Sequence, residues 1–397
     1  MDYLSKRVTV LHESATIAMA RLSRELTEKG LNIISLSLGE PDFVTPENIR
    51  EAAKKAIDDG FTHYPPISGY ADLRKAISEK FKRDNNLDFK PEQIVVSTGA
   101  KQSIANTVFS LLDPGDEVII PAPYWVSYSQ VIEMAGGVPV YIKTTLANDF
   151  KPTAEQIKSA ITPKTKMLIY SSPSNPTGSM FTKEELKAIA DVIAPHPKIY
   201  VVSDEIYEHI AFEFKHESIA QFENLKDRVI VINGVSKGFA MTGWRIGFMG
   251  APLHIAKACD KIQGQFTSGA SSIAQKAALE AVKTGWQPYE HMRDTFLKRR
   301  NLVYELLKEI PGIQYNKPHG AFYFFPDISY YFGKSDNKVT INTASDLCTY
   351  LLADALVSVV TGEAFGDDNC VRLSYATSEE KLKEAISRIK NSLAKLK

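Results

Sequence analysis

The sequence predicts an α/β fold built on a mostly parallel sheet. Two observations carry this: short, near-continuous Val/Ile runs recur between residues 94 and 232, and segments of helical period separate them. Length supplies a third, because 397 residues exceed what one ordinary core holds. At least two domains are expected.

Taken in order, Thr45-Pro46-Glu47 predicts an N-cap with proline at the first helical position. Ile49, Ala53, Ala56 and Ile57 would form the apolar stripe of that helix, and Gly60 its stop. Strands buried on both faces are predicted at Ile94-Val95-Val96, Val118-Ile119-Ile120, Val138-Pro139-Val140-Tyr141, Met167-Leu168-Ile169-Tyr170, Ile199-Tyr200-Val201-Val202 and Val229-Ile230-Val231-Ile232. Thr182, followed three residues later by Glu185, is a capping box for a helix to about Ala194. After about Tyr289 the rhythm changes to a long charged helix (His291 to Leu307), the apolar run Ala321 to Phe325, a helix near Ser345 to Asp354, extended runs at Val357 to Val360 and Val371 to Ser374, and a final amphipathic helix. That pattern predicts a smaller α+β part. No internal repeat or low-complexity segment occurs.

Lys+Arg and Asp+Glu both total 47, so the net charge is zero and no basic field is present to hold nucleic acid or an anionic membrane. Cys259, Cys348 and Cys370 are odd in number and lack C-x-x-C spacing, which speaks against a disulfide framework or a metal site. A reducing cytoplasm is expected. Residues 1–7 have no apolar run behind their charges, and no stretch approaches the ~20 apolar residues that span a bilayer, so neither signal peptide nor anchor is expected.

The densest chemistry lies in Ser236-Lys237-Gly238-Phe239-Ala240-Met241-Thr242-Gly243-Trp244-Arg245, one lysine amid small and apolar neighbours with an arginine eight positions on. Such a setting lowers a lysine pKa, and the free amine condenses with a carbonyl to a Schiff base. The arginine fork matches a phosphate. Lys237 and Arg245 therefore read as an anchor for pyridoxal 5'-phosphate (PLP). Gly99, in Ser97-Thr98-Gly99-Ala100-Lys101-Gln102, sits where a strand turns into a helix whose first N–H groups can meet an anion. Asp204, in Ser203-Asp204-Glu205-Ile206-Tyr207, ends a buried-type strand at the edge where open α/β sheets place ligands. A carboxylate there would favour the protonated form of a pyridine nitrogen, although a helix-capping aspartate and a core tyrosine are the plain alternatives. Asn175, in Ser172-Pro173-Ser174-Asn175-Pro176-Thr177-Gly178, lies in what could equally be a stiff turn. Trp125 has a face of the right size to stack on a pyridine ring, or is a core aromatic. Arg372, in Val371-Arg372-Leu373-Ser374-Tyr375-Ala376, is an arginine in an apolar strand that requires a carboxylate, from substrate or from an internal salt bridge.

These segments together resemble the class I aminotransferases of PLP-dependent transferase fold type I, most nearly the bacterial aspartate aminotransferases of subgroup Ib, over nearly the whole chain. The resemblance implies a large PLP-binding domain over 46–289 and a small domain from 1–45 and 290–397. It implies that Lys237 tethers PLP, Asp204 faces the ring nitrogen, Tyr207 and Asn175 bond the ring oxygen, and Trp125 stacks on the ring. The phosphate would be held by the amides of Gly99 and Ala100, Ser236, Arg245 and Tyr64 of the partner subunit of a homodimer. Arg372, Asn175 and Gly39 would hold the substrate α-carboxylate and Lys101 the distal carboxylate; Lys101 would also belong to the cofactor site and Trp125 would also contact the substrate. The implied reaction is transamination of L-aspartate with 2-oxoglutarate to oxaloacetate and L-glutamate. Glu13-Ser14-Ala15-Thr16-Ile17 resembles a mobile segment that closes over substrate. His12 stands where some members carry a basic residue for prephenate, which leaves that substrate open. The alternatives are another class I aminotransferase acting on prephenate or aromatic substrates, a PLP-dependent β-lyase, and a ligand-sensing regulator, which would carry a basic DNA-binding extension that the first 45 residues lack. A Ser236-Lys237 hydrolase is disfavoured, because neighbours on an extended segment face opposite ways.

Overall fold

The computed structural model describes residues 3–9, 11 and 13–397. Its strands, in chain order, are β1 (Ile34–Ser35), β2 (Ile94–Ser97), β3 (Glu117–Ala122), β4 (Val138–Lys143), β5 (Thr165–Ser171), β6 (Tyr200–Asp204), β7 (Val229–Gly234), β8 (Gly247–Gly250), β9 (Tyr323–Phe324), β10 (Val357–Ser358), β11 (Val360–Thr361) and β12 (Val371–Ser374). Strands β2 to β8 form one sheet in the order β2-β8-β7-β6-β5-β3-β4. The pairs β3–β4, β3–β5, β5–β6 and β6–β7 are parallel, and β8 runs antiparallel to both β7 and β2. All six Val/Ile runs are strands of this sheet, but β4, at its edge, is not buried on both faces: Val138 and Tyr141 are exposed. The sequence reading contains no β8, because Gly247-Phe248-Met249-Gly250 is short, lacks Val and Ile and is bounded by glycines. Those glycines are functional in packing: a Cβ on Gly247 would overlap the backbone of Gly99 and Ala100.

Alternate residues of each strand serve two apolar layers. Ile94, Val96, Leu168, Val201, Val229 and Val231 belong to one layer; Val95, Met167, Ile169, Val202, Ile230 and Ile232 belong to the other. Helices Ala100–Leu111 and Leu253–Phe266 cover the second layer, while helices Glu47–Asp58, Ala71–Asn85, Lys183–Ile193 and Ser272–Thr284 cover the first. The consequence for the site is directional. Strands β2 to β7 all point one way, so their carboxyl ends share one edge.

A third apolar cluster joins helices Glu290–Leu307 and Glu379–Leu393 to the antiparallel sheet β11-β12-β9. β1 pairs in parallel with β10, which ties residues 34–35 to this cluster. The apolar run at 321–325 is strand only over Tyr323–Phe324, and the run at 357–360 divides between two sheets around the buried Val359. The helix Glu290–Leu307, predicted as a long charged helix, buries Arg299 and Arg300. Each pairs with an acid: Arg299 forks onto Asp42 (2.7 and 2.8 Å) and Arg300 meets Glu213 (2.6 Å).

Two details of the predicted helix at 45–60 are corrected. Ile57 is 56% exposed and lies outside the apolar stripe. Pro46, not Thr45, is the N-cap, and it makes no side-chain cap bond. Thr45 instead donates its hydroxyl to the Ala240 carbonyl (2.6 Å) and accepts from Trp244 Nε1 (3.0 Å). The tertiary bond wins because Ala240 sits at φ +51°, a strained conformation for alanine that needs support. Thr45→Val keeps the shape and removes both bonds. It should cost about 1–2 kcal/mol, read as a lowered thermal midpoint of the full chain.

Candidate active site

A cavity of about 290 Å³ opens at the shared strand edge, between the large sheet and the strands β9 and β12. Every predicted site residue lines it except Gly99 and Tyr64. Gly99 lies immediately beside it, against Arg245; Tyr64 is 93% exposed and belongs to no part of it.

Lys237 follows β7 in a turn closed by Phe239 N–H to Val235 O (3.2 Å) and Met241 N–H to Ser236 O (3.1 Å). This corrects the premise that 236–237 is extended: in the turn, Ser236 and Lys237 both face the cavity. Lys237 Nζ donates to the Gly39 carbonyl (2.6 Å). Burial of the ammonium brings its pKa down to about 8, Glu40 resists, and Arg372 and Arg245 add to the lowering. About a tenth of this amine is therefore free at pH 7, far more than for an ordinary lysine.

Asp204 ends β6 and is buried. Its Oδ2 accepts from the Tyr128 hydroxyl (2.7 Å) and its Oδ1 from Ile206 N–H (3.3 Å). Burial lifts its pKa to about 6 against the pull of those two bonds. Such a carboxylate is short of a cation. Tyr207 shares a hydrogen bond with Tyr323, hydroxyl to hydroxyl at 2.7 Å, and burial, then Tyr323, push its pKa well up. Neither Tyr128 nor Tyr323 is a candidate site residue in the sequence. Tyr128 lies three residues after Trp125 and touches its ring edge-on at 5.4 Å, a helical spacing that was available as a signal. Tyr323 gives no signal, since it sits within a run of five buried apolar residues.

At one end of the cavity the helix Ala100–Leu111 begins, with Gly99 as N-cap at φ +83°. Its first N–H groups have no intrahelical acceptor. Arg245, itself at φ +57°, packs so closely on Gly99 that a Cβ there would fall 2.5 Å from Nη2. Ser236 lines the same cavity. At the opposite wall Arg372 is 2% exposed, donates to Asn175 Oδ1 (2.9 Å) and to the Ser37 carbonyl (2.6 Å), and lies over the rings of Tyr323 (4.6 Å) and Phe365 (4.9 Å). Among the described residues no carboxylate pairs with it, burial and the Tyr323 and Tyr207 phenols being what acts on its charge, and its Nε has no partner. The internal salt bridge that the sequence left open is thus not formed. Gly39 is glycine for steric reasons, because a Cβ would strike the Tyr323 hydroxyl. Lys101 holds its ammonium 5.0 Å over the Trp125 ring, and burial, then the charge of Arg245, lower its pKa. Ser14, Thr16 and Ile17 line the cavity mouth. His12 lies outside the described residues.

The sequence model of the family described as "Aminotransferase class I and II" matches residues 32–389. An aspartate aminotransferase of Bacillus subtilis (strain 168) is 45% identical over 394 residues, which cover 99% of each chain. A probable aspartate/prephenate aminotransferase of Rhizobium leguminosarum bv. phaseoli is 47% identical over 393 residues, 98% of each. The crystal structure of the aspartate aminotransferase from Rhizobium meliloti superposes with a TM-score of 0.96 at 40% identity and covers 100% of both chains. This chain belongs to the class I and II aminotransferases, a family of PLP-dependent transaminases with the fold type I architecture.

Proposed function

We propose that this enzyme transfers the amino group of L-aspartate to 2-oxoglutarate, yielding oxaloacetate and L-glutamate, with PLP as its cofactor and a homodimer in the cytoplasm as its working form. The observation that carries the reading is Arg372, a buried guanidinium without an anion, facing a cavity that also holds a lysine of lowered basicity. An α-carboxylate on Arg372 would supply the missing anion.

The residues fit PLP on grounds visible in the fold. Asp204 is a desolvated acid lacking a cation, and the Gly99 turn, the helix start, Ser236 and Arg245 converge as donors on one end of the cavity. When bound, PLP supplies an electrophilic aldehyde and an electron-withdrawing ring that acidifies the substrate Cα–H. Asp204, oriented by Tyr128, would keep the ring nitrogen protonated, and Trp125 would cover the ring face. Lys237 would hold the aldehyde carbon at rest and, once released, carry the proton away from Cα. Tyr207, held by Tyr323, and Asn175 would bond the ring oxygen. Tyr64 of the partner subunit would complete the phosphate donors, consistent with its exposure on its own chain. We further assign 46–289 to a large domain and 1–45 with 290–397 to a small one. Substrate bridging Arg372 and Lys101 would draw the two together, expel water and align the Cα–H bond.

Adding L-aspartate alone to the PLP-loaded protein should bleach its visible band and release oxaloacetate; pyruvate with ammonia would identify a β-lyase instead. Lys101→Ala should raise KM for aspartate by about tenfold or more while leaving monocarboxylic substrates less affected, since only the distal carboxylate loses its partner. The name of the Rhizobium leguminosarum relative favours prephenate as a second substrate, and kcat/KM for prephenate against aspartate separates the two.

Arg372→Ala should lower kcat/KM by about 10²- to 10³-fold, the loss expected when one side of a buried charge pair is removed, in steady-state assays with aspartate.

The Lys237 pKa of about 8 fixes a pH dependence. Its folded value lies below the ordinary lysine value of 10.5, so the reactive free amine accumulates as pH rises through 8. The rate of PLP capture by cofactor-free protein should therefore climb up to about pH 8 and level off above it, measured by stopped-flow absorbance. A rise continuing to the ordinary value would show an exposed lysine.

A further inference from the structure

Directly behind Asp204 lies a second carboxylate that the proposed reaction does not use. Glu205 is 0% exposed and belongs to no wall of the active-site cavity. Its Oε1 accepts from Ser203 Oγ (2.8 Å) and Ser218 Oγ (2.6 Å), and its Oε2 meets His216 Nε2 (3.0 Å). The backbone of the same residue closes the turn after β6, donating to Ile232 O (2.8 Å) and accepting from Glu208 N–H (3.0 Å). Tyr207 lies within that turn.

His216 Nδ1 is buried without a partner. One ring proton, on Nε2 and given to Glu205, satisfies the geometry, whereas a second would leave an N–H unpaired in the interior. In that arrangement Glu205 accepts at both of its oxygens. The charged groups around it are Glu208, with a carboxylate oxygen within 4.8 Å of Glu205 and His216; His209, 3.3 Å from Glu208; and Lys80 with Asp84. Lys80 pairs with Glu208, which also accepts from Asn85 Nδ2 (2.8 Å), and His209 stacks on Trp286 at 4.8 Å. The Tyr170 hydroxyl reaches the cluster through Ser203 Oγ (3.1 Å).

We propose that Glu205 is a positioning residue for Asp204: its clamped carboxylate locks the 203–208 turn and, as a fixed negative charge behind the cavity-facing acid, strengthens the hold of that acid on a protonated ring nitrogen. The inference rests on the role of Asp204 given above. The charge of Glu205 acts with burial in raising the Asp204 pKa.

Glu205→Gln keeps the shape and deletes the charge. Carboxyl NMR of ¹³C-aspartate-labelled, full-length protein, with Asp204 assigned through Asp204→Asn, reads the effect before PLP is added. The Asp204 midpoint should fall, so that at about pH 6 its ionised-to-protonated ratio rises about threefold or more. In the PLP-loaded variant kcat should drop with KM for aspartate unchanged, because binding groups are untouched. An unmoved Asp204 midpoint overturns the proposal, whatever happens to turnover. Should Glu205→Gln fail to fold, Ser218→Ala decides instead, because it removes one of the bonds that clamp the Glu205 carboxylate: kcat should drop with KM for aspartate unchanged, and an unchanged kcat overturns the proposal. Full transamination by Asp204→Asn would instead sink the reading of the active site itself, a separate outcome from either Glu205 result.

Discussion

Charge held out of water without its counter-ion is the constraint around which this molecule is organised. Arg372 is walled in by Tyr323 and Phe365, and the two neutral oxygens it meets, on Asn175 and Ser37, satisfy N–H groups without cancelling a charge. Across the cavity Lys237 is less basic than usual and Asp204 less acidic, both chiefly through burial. Each group alone is unfavourable in the folded state. Together they describe the negative image of a ligand carrying an anion, a carbonyl and a basic ring nitrogen, so part of the folding free energy is held as binding capacity.

Keeping such groups apart from water and from each other demands a rigid frame. The large sheet provides it, with its inner strands packed on both faces by apolar layers and with six carboxyl ends, β2 to β7, gathered on one edge. Rigid strands set direction; the loops beyond them set distance. The lysine turn is held by Thr45 at the strained Ala240, and the start of the helix at Ala100 is brought against β8 only because Gly247 has no side chain. Asp42, forked onto Arg299, fixes the segment whose Gly39 carbonyl meets Lys237. Residues distant in sequence thus share one mechanical task, the separation of charges by fixed amounts.

The site was legible where chemistry is concentrated in short runs. Ser236 to Arg245, Ser203 to Tyr207 and Val371 to Ala376 place unusual residue types in settings that a bland fold does not need, and the cavity gathers them. Tyr128 and Tyr323 escaped because a buried phenol looks the same in sequence whether its hydroxyl caps a core or orients a reacting group. The Thr45 hydroxyl escaped for a related reason: its local role, capping a helix, is common, and the competing bond to Ala240 spans 195 positions. The facing of Ser236 and Lys237 depended on whether their segment was extended or turned, which neighbouring residues alone leave open.

The sequence by itself determined the fold class, six strands of the main sheet, and the chemical kinds of group at the site, since strand burial and residue chemistry are encoded locally. Only the tertiary structure decided the antiparallel insertion of β8, the absence of an acid beside Arg372, and the pairing of Asp204 with Tyr128 and of Tyr207 with Tyr323. Those features depend on distances between segments tens to hundreds of residues apart. Pattern along a chain specifies what each segment is, whereas packing in three dimensions specifies what it faces, and the chemistry of this cavity is a matter of facing.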